Sequence, residues 1–204
     1  MPKIEYNGIE FDSEEERLFY LYLEELKVNG YVRDFTFHAD SFTLSEKLTY
    51  EWLKKMKTKN TKMESTLLQP HSYVPDFKVL WNSKSLGIFY ENIFNGKTKL
   101  DSVPFINNID KNGKDLGSFI EIKPSFDFQN MTRLSIINIK WVFSKHNILI
   151  QKITPVAKNK CLFKDTFVPE KALLTKTKKK KKYHFEVKSL EDYINNCKIE
   201  KDRG

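Results

Sequence analysis

Cysteine is almost absent. The chain holds two, Cys161 and Cys197, with no CxxC spacing and no Cys/His cluster. That excludes a disulfide framework and a zinc site, and both read as free thiols in a reducing cytosol. No apolar run is long enough to span a bilayer, so no membrane partner is expected. The opening Met1-Pro2-Lys3-Ile4-Glu5-Tyr6 lacks the apolar centre of a signal peptide, which points to a cytoplasmic location. No internal repeat, zinc finger or helix-turn-helix pattern is present, so no sequence-reading element is visible.

What remains suits one domain, or one domain with a small appendage. The 204 residues can bury a sizeable core, and 40% hydrophobic against 30% charged residues excludes a disordered chain. The net charge is +8, from 35 Lys and Arg against 27 Asp and Glu, which is compatible with an anionic partner or with a Lys-rich surface.

Lys3 to Phe11 reads as a hairpin turning at Asn7-Gly8. A helix follows from Asp12 and Ser13, with Leu18, Phe19, Tyr22, Leu23 and Leu26 as its apolar stripe, ending at Asn29-Gly30. Ser13 and Glu16 match a capping box. Tyr31 to Leu44 is expected as a strand with His38 near its middle. Glu46 to Met56 fits helix or strand, and the basic Lys55 to Met63 reads as a solvated loop. A strand is expected within Ser65 to Trp81 and another over Leu86 to Glu91. The Asn-, Lys- and Gly-rich 92–117 reads as a long loop. A helix over about Asp127 to His146 is expected to bury Met131, Leu134, Ile137 and Trp141, before a strand from Ile148 to Val156. Residues 157–204 read as a small basic extension: short strands around Pro169 and over His184 to Val187, five lysines at Lys178 to Lys182, and a helix capped by Ser189.

Two strands carry charge where it is costly. In Ser118-Phe119-Ile120-Glu121-Ile122-Lys123-Pro124, side-chain alternation puts Glu121 and Lys123 on the face of Phe119, while Ile120 and Ile122 face a core. Charges on a buried face need partners. The stretch Tyr73-Val74-Pro75-Asp76-Phe77-Lys78-Val79-Leu80 offers a second carboxylate, Asp76. The gap from Asp76 to Glu121 is 45 residues (121 − 76), so the intervening chain must loop out for the two to meet.

Pro75-Asp76 followed by Glu121-Ile122-Lys123, between an acid-bearing helix and an amphipathic one, resembles the PD-(D/E)xK nuclease superfamily. The layout of residues 3–156 is similar to small nucleases of tailed phages, crAss-like ones included, and to endonuclease I-type Holliday-junction resolvases. Phe11-Asp12-Ser13-Glu14-Glu15-Glu16 resembles the first-helix acid of the phage members and of transposon-end-cutting nucleases. The resemblance implies an α/β, restriction-endonuclease-like core over 1–156: a central mixed β-sheet flanked by helices, with the basic extension 157–204 outside it. It implies a Mg2+-dependent DNA endonuclease in recombination, repair or packaging, with Mn2+ able to substitute. Asp76, Glu121 and the Ile122 carbonyl would hold the metal, and Lys123 would act on water or phosphate. Glu16 would be the first-helix acid, with Glu15 and simple capping as alternatives. Gln129 and Arg133 would sit near the scissile phosphate, and Lys178, Lys179, Lys180, Lys181 and Lys182 could bind the DNA backbone or form a solvated tail. A branched substrate implies a homodimer, and a phage origin implies host cytoplasm. Two other readings stay open: an inactive nucleic-acid-binding or structural protein with these residues as ion pairs, and a nuclease subunit of a transposase-like complex.

Overall fold

The computed structural model of the chain describes residues 4–38, 40–82, 107–108, 116–123, 131–153, 162–163, 166–174 and 179–201. Strands β1 (Ile4–Tyr6) and β2 (Ile9–Phe11) pair antiparallel through Asn7-Gly8. Both turn residues have positive φ, 52° and 76°, as a two-residue hairpin requires. Helix α1 (Glu14–Val28) starts at Ser13, whose Oγ accepts from Glu16 N. It ends in a Schellman arrangement: Gly30 has φ 69°, its N–H donates to Lys27 O, and Tyr31 N donates to Leu26 O at 2.8 Å.

The architecture is α/β around a central mixed sheet. In order it runs β11 (Ile150–Ile153), β10 (Leu116–Ile122), β8 (Phe77–Trp81) and β3 (Val32–Phe37), with β9 (Asn107–Asn108) also on β10. The β8–β10 and β3–β8 pairs are antiparallel. β10 and β11 are parallel, which demands a crossover, and helix α2 (Met131–His146) lies within it.

Each strand alternates between two cores. On one face Phe77, Val79, Ile120, Ile122 and Ile153 pack under α1 through Phe19, Tyr22, Leu23 and Leu26. On the other, Phe119 and Ile150 meet Val142 of α2 and a two-stranded ladder of β4 (Phe42–Ser45) and β7 (His71–Tyr73). The first core also takes in Phe163, Phe167, Val168, Leu190, Tyr193 and Ile194. The segment read as a basic extension thus adds apolar side chains to the same core as α1. Burying each side chain of this size stabilises by roughly 2 kcal/mol.

Several expectations are corrected. The strand expected over Tyr31 to Leu44 breaks at His38, which has φ 52°, and the chain resumes as β4 in another ladder. The expected basic loop over Lys55 to Met63 shrinks to a turn at residues 56–59: β5 (Leu48–Lys55) and β6 (Asn60–Leu68) pair antiparallel along their lengths, and Glu46 to Met56 is mostly strand rather than helix. α2 is rotated from its expected stripe. Leu134 and Ile137 are 56% and 54% exposed, and Trp141 is 37% exposed, while Ser135, Asn138 and Val142 are buried. Two polar partners explain the rotation: Asn138 Oδ1 lies 3.1 Å from His71 Nε2, and Ser135 approaches Tyr73. The expected strands near Pro169 are a 3-10 turn (Glu170–Ala172), and 184–187 is not a strand. The helix after Ser189 does form, as α3 (Leu190–Lys201), with Ser189 and Asp192 in a reciprocal cap. The expected strand over Leu86 to Glu91, most of 92–117, Pro124 and Gln129 lie outside the described residues.

Candidate active site

The β8–β10 ladder pairs Phe77 with Ile120. Continuing that register one step puts Asp76 opposite Glu121, on the same face of the sheet, and within its electrostatic reach. Asp76 ends the ladder with its side chain: Oδ2 accepts from Ile122 N at 2.6 Å. His38, one residue past β3, also meets this end. Its N–H donates to Asp76 O at 2.9 Å, and its Nε2 lies 3.5 Å from Asp76 Oδ1. The hydrogen bond to Asp76 holds the His38 imidazole above its ordinary pKa, against the opposing pull of burial.

Glu121 is buried, 4% exposed. Its Oε1 pairs with Lys123 Nζ at 2.5 Å. Its Oε2 is buried and, among the described residues, makes no fully formed hydrogen bond. The Tyr73 hydroxyl approaches this carboxylate closely enough to hold its pKa down, yet Tyr73 Oη, Glu121 Oε2 and Ser135 Oγ fall short of full hydrogen-bond geometry. Burial first, and then the charge of Asp76, push Glu121 above the usual carboxylate range, against the pull of Lys123. Burial also works against the Lys123 ammonium, but Glu121, Asp76 and Glu16 together hold its pKa above normal.

Glu16 comes from the opposite layer. It is 7% exposed, and burial followed by the Asp76 charge raises its pKa to about 7. The capping box also forms, with Ser13 Oγ donating to Oε1 at 2.8 Å and Asp12 N to Oε2 at 3.1 Å. Capping and service to the site are therefore compatible. Glu15, the alternative, is only half-buried.

Glu16, Asp76, Glu121, Ile122 and Lys123 thus converge from α1, the start of β8 and the end of β10. Among the described residues, no three His, Cys, Asp or Glu side chains form a ready metal cage. The residues expected at phosphate are spread over several elements. Arg133 is exposed, roughly 200° around α2 from the buried Ser135. Lys178 and Gln129 lie outside the described residues. Lys181 Nζ sits 3.8 Å from Glu14 Oε1 on α1, while Lys180 bridges to Leu174, and Lys179, Lys180 and Lys182 are exposed. The run is thus partly a docked strand-like segment beside the first turn of α1. His38 was not anticipated. Its signal, a residue that breaks an otherwise regular strand, becomes visible only when β3 is laid beside Asp76.

Residues 1–91 match the family model described as "Protein of unknown function (DUF1064)". The matched stretch includes Glu16, His38 and Asp76 and ends before Glu121 and Lys123. No curated protein and no solved structure matches the chain.

Proposed function

We propose that the chain is a divalent-metal-dependent nuclease that hydrolyses phosphodiester bonds in DNA. The observation that carries this is Glu121: a buried carboxylate within electrostatic reach of Asp76, with a lysine on one oxygen and, among the described residues, no fully formed hydrogen bond on the other. Two buried carboxylates repel unless a cation or proton lies between them. The donors fit a hard cation such as Mg2+ or Mn2+, since Asp76, Glu121 and the Ile122 carbonyl all offer oxygen. When bound, the ion lowers the pKa of a coordinated water and draws charge off the phosphate. The chain's own groups do the rest. Ile122 N–H fixes the Asp76 carboxylate, and His38 braces its other oxygen. Lys123, held against Glu121, brings a positive charge to where negative charge builds on the phosphate. The likeness to the PD-(D/E)xK superfamily supports the same roles. A branched substrate cut symmetrically would need two chains.

A second reading rests on an observation of its own: Glu121 is already paired with Lys123, and Asp76 with His38 and Ile122 N. On that reading the groups are a structural network in a nucleic-acid-binding protein. Incubation with branched and linear duplex DNA, with Mg2+ or with EDTA, separates the two. The nuclease reading predicts Mg2+-dependent nicking by wild type and none by Asp76→Ala. Equal nicking by both, or none by either, sinks it.

A further inference from the structure

The chain from Asp40 to Pro75 leaves the sheet just after His38 and returns just before Asp76. These are two residues of the candidate site, joined by His38 N to Asp76 O. Its root, β4 with β7, packs on α2 and carries Tyr73 to Glu121. Two residues beyond each root strand it becomes the β5–β6 ribbon, which, among the described residues, packs on itself and on no other element to a comparable degree. Every residue of β5 is exposed, and so is every residue of β6 except Thr61 and Ser65. Eight residues at about 3.3 Å each give the ribbon a reach of roughly 25 Å, more than the width of a nucleic-acid duplex groove.

Its chemistry is divided along its length. From Tyr50 to the middle of the ribbon, Tyr50, Trp52 and Met63 share one face, and Trp52 Nε1 donates to Ser65 Oγ at 2.8 Å, which fixes the indole there. Toward the tip stand Lys54, Lys55, Lys57, Lys59 and Lys62, with no acid between residues 52 and 63. Among the described residues only Lys62 of these has an ion pair, 3.6 Å from Glu51 across the ribbon, with both side chains over 70% exposed, and such a pair contributes little. The tip closes through Met56 N to Lys59 O, so the lysines are held on a defined turn. Like-charged tips repel one another, which argues against a second copy of this chain as the occupant. The complementary partner is a polyanion.

We propose that β5–β6 is an arm that grips DNA. The lysine tip contacts backbone phosphates some 25 Å or less from the sheet end, and the Tyr50–Trp52 face lies against the nucleic acid nearer the site. Its contribution to cleavage rests on the nuclease reading; its binding of DNA does not.

The test uses the full chain with fluorescein-labelled linear and branched duplexes in EDTA, where no cutting occurs. Binding is read by anisotropy over a salt series. The variant replaces Lys54, Lys55, Lys57, Lys59 and Lys62 with Gln, all at surface positions, and circular dichroism checks that it folds. Expected is at least about tenfold weaker binding, with the slope of log K against log salt flatter by about 3 to 4, as loss of several phosphate contacts demands. Unchanged affinity and slope overturn the arm, as does failure of wild type to bind either duplex. A parallel Mg2+ cleavage assay keeps the two ideas apart. Weakened binding with no cutting by wild type leaves the arm and removes the nuclease. If Trp52→Ser instead abolishes a wild-type dimer seen by sedimentation, while the lysine variant binds DNA normally, the occupant is a second copy and the proposal is wrong.

Discussion

Two β regions are joined through the β4–β7 root, and each inverts the ordinary rule of burial. At the end of the central sheet, Glu16, Asp76 and Glu121 are buried carboxyl groups. On the ribbon, Tyr50, Trp52 and Leu53 are aromatic or aliphatic side chains 48%, 41% and 59% exposed. A fold built for stability alone would swap them. Buried charge costs free energy unless something pairs it, and a lone two-stranded ribbon has little to hold it. Both costs make sense if a partner supplies what is missing: a cation at the sheet end, a polyanion along the ribbon.

The largest contrast concerns activity. Asp76→Ala is expected to lower Mg2+-dependent cleavage by about three orders of magnitude, the scale of losing a charge-stabilising group, with the far-UV spectrum unchanged. Single-turnover nicking rates measure this. A loss of under tenfold would detach the sheet end from the chemistry.

Stability should split the regions the opposite way. Phe77 is fully buried, stacked edge-on against Phe19 with centroids 5.2 Å apart. Phe77→Ala should cost about 3–5 kcal/mol. Trp52→Ala, on the ribbon, should change stability by no more than about 0.5 kcal/mol. Urea unfolding compares them, and equal losses would mean that the ribbon is part of the core.

A smaller effect concerns pH. Glu16 faces Asp76, its own cap at Asp12 and Ser13, and the cations His38 and Lys123. Its folded pKa of about 7 exceeds its ordinary 4.5, so the native state holds a proton that the unfolded chain releases. Its stabilising term is therefore full below about pH 4.5 and is lost as pH rises through about 7. In metal-free protein, Glu16→Gln keeps the cap and should flatten this fall relative to wild type. Parallel stability–pH curves would show that Glu16 does not sense Asp76. Added Mg2+ should also flatten the wild-type curve.

What could be read beforehand was local. The Asn7-Gly8 turn and the Ser13–Glu16 cap depend on neighbours in sequence, and both formed. The alternation of Ile120 and Ile122 against Phe119 and Glu121 is a property of one strand, and it held. What could not be read depends on long-range pairing. His38 gains its place from Asp76, 38 residues away (76 − 38). α2 turned its polar Ser135 and Asn138 inward because Tyr73 and His71 stand opposite, which its apolar count could not reveal. The first half of β6, Asn60 to Met63, read as loop because neither face is buried there, so no hydrophobic period marks it. At the candidate site the acids and Lys123 were legible, whereas the brace from His38 and the Tyr73 contact were not.

The central claim is that Asp76 and Glu121 share a cation. Titrating Mn2+ into the metal-free chain and following free ion by electron paramagnetic resonance tests it without substrate. One site is expected in wild type, and its loss in Glu121→Gln with the fold intact. Binding that is identical in both, or absent from wild type, would contradict the account.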